Sequence, residues 1–318
     1  MAASPPAEIE SASASQARRR RRRAVVRDNL TAYLFLAPYL FILGTFLVGA
    51  SLFGLGISFF HVDYGIDQPR WIGLANYQYI WDQFRTNSAN FEFAIALKNI
   101  VVYAFFVIIG QTVLSLLYAL LLNQKIRGRA FLRTALYLPS VTSSVAIALI
   151  FIYLYDKAGA INAILSLVHI QGPDWLRDPA TALPAIMALN IFTTSPTFMI
   201  MFLAGLQGLP EAVYEAARID GCSSRQLFWY VTLPLLRPTM FVVVALGTIG
   251  SFQVFDQIAV MTQGGPLNAT LTPVWVIYDF GFKQHYFGLG AAMAAILFVI
   301  ILTITLLQRR FIDTAIQY

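Results

Sequence analysis

Polar side chains recur on one face of an apolar stretch in the second half of the sequence. Asn190, Thr194 and Thr197 fall at i, i+4 and i+7, a spacing that places them on the same face of a helix. The residues around them are apolar enough for a membrane helix, where polar groups cost energy and are candidates for function. Amides and hydroxyls at these positions are suited to binding a neutral, hydroxyl-rich ligand.

A second polar set lies in a later apolar stretch. Gly247, Ser251 and Phe255 share a helix face, and Gln253 and Asp256 lie further along the same stretch. The two sets together predict a pathway for a ligand, with the aromatic ring available to contact the ligand's apolar face. A structural alternative stays open, because Ser and Thr in membrane helices often bond to carbonyls of their own or a neighbouring helix.

The other reactive residue types form no pattern typical of catalysis or metal binding. His61, His169 and His285 are scattered without a shared helix face, and Cys222 is the single cysteine. The chain also lacks the G-x-x-x-x-G-K-[ST] motif that binds nucleotide phosphates. We therefore expect no catalytic residues, no metal site and no cofactor bound by this chain. The sequence predicts that the chain is not an enzyme on its own.

The composition predicts that these polar residues lie in a membrane. Hydrophobic residues make up 58% of the chain and charged residues only 12%, whereas soluble domains carry about a quarter charged residues. A membrane helix needs about 20 mostly apolar residues, and six segments qualify. They are Leu30–Phe60, Asn99–Leu122, Thr134–Tyr155, Leu183–Leu206, Thr239–Met261 and Phe287–Gln308. The predicted fold class is an all-α membrane protein with six transmembrane helices.

The N-terminal segment 1–29 is small, polar and then strongly basic, which predicts a disordered tail. Its Arg18–Arg23 run and Arg27 directly precede the first apolar segment, as in a cytoplasmic membrane anchor. A cleaved signal peptide fits less well, because the apolar run of about 30 residues far exceeds the apolar core of a signal peptide. The tail has no interleaved aromatics or folded basic face, so we expect no nucleic-acid partner.

The distribution of basic residues predicts the orientation of the chain. With the tail inside, 16 of the 22 lysines and arginines fall in cytoplasmic segments. This bias predicts that both termini are cytoplasmic, and that Glu215–Pro238 is a cytoplasmic loop between the fourth and fifth spans.

That loop has the signals of two short helices. Pro210 is suited to the first position of a helix, which the Asp220-Gly221 pair would end because Gly adopts the left-handed conformation readily. Ser223 and Gln226 form a capping-box pattern that starts a second helix at once. The Leu233-Pro234 pair is expected to end it.

Two interpretations of this loop compete on physical grounds. It could be an amphipathic segment resting on the membrane surface, or a docking element for a cytoplasmic partner. Ala216 and Ala217 favour docking, because small side chains let a partner approach the helix backbone.

The loop resembles the EAA loop of ABC importer permeases, in particular the sugar-uptake branch. The family pattern is E-A-A-x-x-D-G, then Q-x-F-x-x-V/I-x-L-P, then P. The sequence matches it at Glu215, Ala216, Ala217, Asp220, Gly221, Gln226, Phe228, Val231, Leu233, Pro234 and Pro238. Further segments similar to the family are "WIGLANYQYIW", "FLRTALYLPSVTSSVAIALIF", "GAINAIL", "FDQIAVMTQGGP" and "FGLGAAMA". The family more often has Ala or Ser where this chain has Cys222.

The resemblance implies a type I importer permease domain over residues 30–318, with the EAA coupling loop at 208–238. The loop would dock on an ABC ATP-binding subunit, present in two copies, which uses ATP and Mg. Further implied partners are a second related permease, an extracytoplasmic solute-binding protein and membrane lipid. The residues that it assigns to ATPase coupling are Glu215, Ala216, Ala217, Asp220, Gly221, Leu233 and Pro234.

The implied function is translocation of a sugar or related polyol across the prokaryotic plasma membrane by alternating access. A permease for another small solute is an alternative. A stand-alone secondary transporter is another, but only Asp256 is a candidate ion-coupling carboxylate within the spans. A membrane-embedded enzyme would need a catalytic constellation that the sequence lacks.

Overall fold

The computed structural model describes residues 33–62, 68–124 and 126–312, with side chains as far as Arg310. The predicted disordered tail at residues 1–29 lies outside this range. Six helical segments in it are long and apolar enough to cross a membrane, and each overlaps one of the six predicted segments, in the same order. Their bounds are Tyr33–Ile57, Glu92–Asn123, Ser144–Leu167, Pro179–Gln207, Arg237–Met261 and Phe287–Arg310.

Packing divides the chain into two units, with the boundary after Gly56. The first unit holds almost all of helix α1 (Tyr33–Ile57), which contains a π-helical segment at Leu43–Gly49. In the second unit, strands β1 (Phe60–His61) and β2 (Arg70–Trp71) form an antiparallel ladder that pairs Phe60 with Trp71. The ladder begins inside the predicted first span, which therefore ends earlier than expected.

The remaining helices all belong to the second unit. In chain order they are α2 (Ala75–Thr86), α3 (Glu92–Asn123), α4 (Arg129–Val141), α5 (Ser144–Tyr155), α6 (Ala160–Leu167), α7 (Pro179–Gln207), α8 (Glu211–Ile219), α9 (Ser224–Gln226), α10 (Leu233–Leu235), α11 (Arg237–Phe252), α12 (Asp256–Met261), α13 (Pro273–Tyr278) and α14 (Phe287–Ile312). Two π-helical segments, Leu227–Thr232 and Asp279–Lys283, adjoin α10 and α13.

The core of this unit is built on α3 and α7, which pack against each other more extensively than any other pair of described elements. Tyr103 of α3 and Phe202 of α7 are fully buried. Helix α7 starts four residues before the predicted Leu183, because Asp178 caps it and Pro179 supplies a first residue that needs no N–H partner. The Asp178 side chain accepts a hydrogen bond from the Ala180 N–H at 2.9 Å.

The prediction of one continuous third span, Thr134–Tyr155, is wrong. The chain leaves the helix at Thr142 and Ser143, both in extended conformations, and α5 starts afresh at Ser144. Two local features explain the break. Pro139 lacks an N–H for the helical ladder, and the hydroxyls from Ser140 onward compete for backbone partners. The Ser140 and Thr142 hydroxyls each donate to a carbonyl three or four residues earlier.

The predicted fifth span, Thr239–Met261, is also two helices. Helix α11 ends at Phe252 and α12 begins at Asp256, with Gln253–Phe255 between them. Since a carbonyl freed inside a membrane must find a protein partner, the break needs compensation. The Thr272 hydroxyl provides some of it by donating to the Val254 carbonyl at 3.3 Å.

A buried asparagine holds the connection between α6 and α7. The Asn162 amide donates to the carbonyls of Lys157 and Pro173 at 3.2 and 3.1 Å and accepts from Trp175 Nε1 at 2.8 Å. Its exposed fraction is only 8%. The connection therefore relies on one side chain to satisfy three groups.

We predict that Asn162→Ala lowers the free energy of unfolding by about 1–3 kcal/mol, because it leaves partly buried polar groups unpaired. Thermal unfolding of the purified protein in detergent measures the effect. Asn90→Ala is the matched control, since Asn90 is exposed and its amide bonds only to the exposed Asn87 side chain. Equal melting temperatures for the two variants would contradict the role assigned to Asn162.

Candidate functional site

The loop between the fourth and fifth spans forms two helical arms around a glycine turn. The first arm is α8, which begins at Glu211 with Pro210 as its N-cap, one residue later than predicted. It ends at Ile219, and the chain turns at Gly221, where φ is +81°, a left-handed conformation that favours glycine. The N–H groups of Gly221 and Cys222 bond back to the carbonyls of Arg218 and Ala217 at 3.1 and 3.0 Å. The predicted glycine stop is therefore present.

The second arm starts with the predicted capping box. The Gln226 N–H donates to Ser223 Oγ at 3.4 Å, and Gln226 Oε1 accepts from the Ser223 N–H at 2.8 Å. The expected end at Leu233-Pro234 is wrong, because the helical conformation runs through Pro234 to Leu236. The π-helical segment Leu227–Thr232 lies immediately before Pro234, where a wider turn relieves the clash of the proline ring with the preceding turn. Leu236 alone separates α10 from α11.

One side-chain contact joins the two arms. The Tyr214 hydroxyl donates to Thr232 Oγ1 at 3.0 Å, and Thr232 in turn donates to the Leu227 carbonyl at 3.2 Å. Thr232 is buried, although most of the loop around it is exposed. The arms are therefore held together at the base of α11.

The predicted coupling residues fall into two groups. Glu215, Ala216, Asp220 and Gly221 are exposed around the end of the first arm. Ala217, Leu233 and Pro234 are half-buried. Only the first group is fully available to a partner surface, and Ile219, 85% exposed, adds an apolar side chain next to it.

A polar cleft of about 260 Å³ lies where α4 gives way to α5. Six of its side chains carry hydroxyls and one carries an amide, and the residues that line it are uncharged. The lining, among the described residues, is Pro139, Ser140, Thr142, Ser144, Ile147, Thr193, Thr194, Thr197, Phe198 and Gln257.

The break in the fifth span closes one side of this cleft. The Ser144 hydroxyl donates to Asp256 Oδ2, so the first residues of α5 and α12 meet there. A carboxylate is favoured at the positive end of a helix dipole, and Asp256 lies in the first turn of α12. The carboxylate therefore has a structural partner at the edge of the cleft.

The structure brings together some of the predicted pathway residues. Thr194 and Thr197 line the cleft. Asp256 borders it through Ser144. Asn190 is 8% exposed and contributes its carbonyl, which lies 2.8 Å from the Thr194 hydroxyl. These four form one site on α7 and α12.

The other four predicted pathway residues lie elsewhere. Gly247 and Ser251 are buried on α11, Gly247 against α3, and neither is among the residues that line the cleft. Gln253 opens into a separate, mainly apolar groove between α11, α13 and α14. Phe255 packs on Trp275 and Tyr278, with ring centroids 6.1 and 5.1 Å apart. A shared helix face was therefore not enough to place residues in one site.

Sequence reasoning missed several residues of the site. The prediction of one continuous span concealed the role of three hydroxyl residues, Ser140, Thr142 and Ser144. The run of hydroxyls after Pro139 was nevertheless a signal that the helix breaks there. Gln111 was also missed: its Oε1 lies 2.8 Å from the Thr194 hydroxyl, although it belongs to the second span. An amide inside an apolar span was itself a sufficient signal.

The described residues contain no group of three His, Cys, Asp or Glu side chains placed to hold a metal ion. The long apolar helices, the uncharged polar cleft between broken helices and the exposed two-arm loop define the class of this protein. It is a polytopic helical membrane protein of the kind that moves a solute.

Comparisons with known proteins identify the family. Residues 111–316 match the family described as "Binding-protein-dependent transport system inner membrane component". The chain belongs to this family. It is 32% identical to the trehalose/maltose transport system permease protein MalF of Thermococcus litoralis, over 88% of this chain and 92% of that one. It is also 32% identical to the arabinooligosaccharides transport system permease protein AraP of Halalkalibacterium halodurans, over 74% of each.

A solved structure establishes the fold independently. A bacterial alginate ABC transporter, solved in complex with a periplasmic protein bound to an alginate pentasaccharide, superposes with a TM-score of 0.74. The match covers 92% of this chain and 98% of that chain at 24% identity. The predicted ABC importer permease fold with six membrane helices is confirmed, as is the inner-membrane location.

We predict that Gly221→Val opens the turn of the loop, because a β-branched residue at φ +81° costs roughly 1–2 kcal/mol. Gly221→Asn is the matched variant, since Asn tolerates this conformation better. Limited trypsin digestion at Arg218 and Arg225 measures turn opening, and about tenfold faster cleavage is expected for the valine variant only. Equal cleavage of the two variants would show that the conformation of Gly221 does not hold the turn.

Proposed function

We propose that this chain is the permease subunit of an ATP-driven sugar importer. The observation that carries the proposal is the uncharged, hydroxyl-lined cleft between α4, α5, α7 and α12. Neutral hydroxyls and an amide can exchange hydrogen bonds with a polyhydroxylated ligand without leaving a buried charge unpaired. The Phe198 ring adds an apolar surface for the face of a sugar ring.

The relatives support the same substrate class. Two permeases at 32% identity belong to transport systems for trehalose/maltose and for arabinooligosaccharides. Both ligands are neutral and rich in hydroxyl groups, as the lining of the cleft requires. We therefore propose a neutral mono-, di- or oligosaccharide, or a related polyol, as the ligand of this chain.

The two-arm loop is the proposed site of energy coupling. Its first arm exposes Glu215, Ala216 and Asp220, and its second arm leads into α11 through Leu236 alone. A partner that moves the loop therefore pulls directly on the fifth span. We assign ATP and Mg²⁺ to that partner, an ATP-binding subunit present in two copies, and no cofactor to this chain.

The rest of the proposed assembly follows from the same family. It comprises a second related permease and an extracytoplasmic binding protein that delivers the ligand. The bias of basic residues supports both termini and the two-arm loop on the cytoplasmic side. On this orientation the cleft opens alternately to either side as the partner ATPase binds ATP, hydrolyses it and releases ADP and phosphate.

Reconstitution of the whole complex tests the proposal. The chain is co-expressed with its ATP-binding subunits, partner permease and binding protein, and ATP-driven uptake of radiolabelled maltose and trehalose into proteoliposomes is measured. A thermal-shift screen of the binding protein compares neutral sugars with glycerol phosphate. Uptake that needs ATP and a shift by a neutral sugar are expected. Failure of the chain to co-purify with an ATPase, or a shift by the anionic ligand alone, would overturn it.

Gly221→Val should abolish uptake in this assay while the chain remains inserted in the membrane, because the loop that receives the ATPase is distorted. Gly221→Asn is expected to retain most of the uptake. A valine variant with wild-type uptake would sink the coupling assignment.

We further predict that Thr197→Trp blocks the cleft, because Thr197 is exposed within a space of only about 260 Å³. Sugar uptake should fall at least about tenfold, the effect of roughly 1.4 kcal/mol on the transport barrier. Co-purification of the ATPase measures docking and should be unchanged. Phe192→Trp is the control, since Phe192 is exposed on the same helix but is absent from the cleft lining. Equal uptake by both variants would exclude the cleft as the pathway.

A further inference from the structure

A buried glutamine of the second span contacts the cleft from behind. Gln111 of α3 is 2% exposed, and its Oε1 lies 2.8 Å from the Thr194 hydroxyl. Its Nε2 is fully buried and has no hydrogen-bond partner among the described residues. A buried donor without a partner lowers stability. The hydrogen bonds of Gln111 are therefore incomplete, and packing against neighbouring atoms must fix the position of its amide.

The surface that holds the amide is the backbone of α11. A Cβ placed on Gly247 would lie 2.2 Å from Gln111 Nε2, closer than real contacts allow. Only glycine therefore lets α11 approach the amide this closely. One helical turn further along α11, Ser251 is 3% exposed, and its hydroxyl also lacks a partner within the described part of the chain.

The Thr194 hydroxyl has two competing acceptors. It lies 2.8 Å from Gln111 Oε1 and also 2.8 Å from the Asn190 carbonyl, and it has one proton to donate. When the hydroxyl donates its hydrogen bond to the Asn190 carbonyl, its O–H bond points along α7. When it donates to Gln111 Oε1, the O–H bond points toward α3, and the oxygen lone pairs take a different orientation relative to the cleft. The position of the Gln111 amide therefore decides which hydrogen-bonding face Thr194 presents.

We propose that Gln111 is a positioning residue, which sets the Thr194 hydroxyl in the cleft according to where α11 lies. This inference rests on the proposed function, in which the cleft carries the sugar. The two-arm loop leads directly into α11, and α11 contacts Gln111 at Gly247. A displacement of α11 therefore moves the amide, and the amide oxygen gains or loses the hydrogen bond from the Thr194 hydroxyl. Gln111 links the moving helix to the ligand-binding face without touching the ligand.

Two single variants disturb the same contact from opposite sides. Gln111→Met keeps the size of the side chain but removes both amide atoms. Gly247→Ala keeps Gln111 but forces its amide to leave its present position, because the added Cβ would lie 2.2 Å from Nε2. Gly250→Ala is the matched control on the same helix, because a Cβ there meets no described atom within 4 Å.

The variants are tested in the reconstituted complex with radiolabelled maltose and trehalose as probes. Both are expected to change KM by about fivefold, the effect of one neutral hydrogen bond, and to alter the maltose-to-trehalose ratio. The maximal rate, which reports ATP coupling, should change less. The double variant Gln111→Met/Gly247→Ala is expected to resemble either single variant, since both remove one interaction.

The outcomes separate this inference from the proposed function. Additive effects of the two substitutions on KM, or equal changes in the Gly250→Ala control, would overturn the role of Gln111. Absence of maltose and trehalose uptake by the wild type would instead overturn the proposed function for these sugars. In that case the thermal unfolding midpoints of the same four variants in the complex test whether Gln111 and Gly247 interact. Additive shifts of the midpoint for the two substitutions would contradict that interaction.

Discussion

Backbone groups freed where a membrane helix breaks must find partners inside the protein, and this constraint shapes the centre of the fold. The predicted third span is interrupted at Thr142 and Ser143, and the fifth span breaks at Gln253–Phe255. The two breaks are joined by the hydrogen bond from Ser144 to Asp256. Each residue is the first of its new helix, where N–H groups lack intrahelical partners and negative charge is favoured. The cleft exists because these two breaks meet.

The same breaks explain why the polar residues at the cleft do not strongly destabilise the protein in a membrane. A straight α4–α5 helix would point Thr142 and Ser144 to different sides, since residues two apart in a helix do not face each other. The interruption instead collects Ser140, Thr142 and Ser144 at one place, opposite Thr194 and Thr197 on the continuous helix α7. Irregular backbone at membrane depth is tolerated where it lines a cavity. The polar cleft and the broken helices are therefore consequences of one arrangement.

The sequence was sufficient to predict two kinds of element: long apolar helices, and turns or caps that depend only on residues close together in the chain. Apolar length predicted six spans, and the left-handed turn at Gly221 and the capping box at Ser223 need only neighbours in the chain. The breaks were missed because hydropathy averaged over about 20 residues stays high despite a few polar residues or a proline. In the third predicted span these are Pro139 and the hydroxyl residues after it. The end at Pro234 was predicted wrongly because the π-helical segment before it accommodates the ring.

The structure brings only some of the predicted pathway residues together, for a different reason. Helical spacing correctly grouped Gly247 with Ser251, but periodicity does not reveal which neighbour a face will meet. That face packs on α3 at Gln111, whereas the face with Thr194 and Thr197 opens into the cleft. Only tertiary packing separates the two cases, and it also reveals that both faces touch the same glutamine.

A cleft lined by rotatable hydroxyls has a consequence for selectivity. Each Ser or Thr hydroxyl can donate or accept, so such a lining accommodates different arrangements of ligand hydroxyls at small cost. Discrimination then requires that some hydroxyls be held in one orientation. Two cleft hydroxyls are held from a second helix, Ser144 by Asp256 and Thr194 by Gln111. The Ser140 and Thr142 hydroxyls, among the described residues, bond to carbonyls of their own helix. Selectivity within the cleft should therefore depend most strongly on the hydroxyls of Ser144 and Thr194.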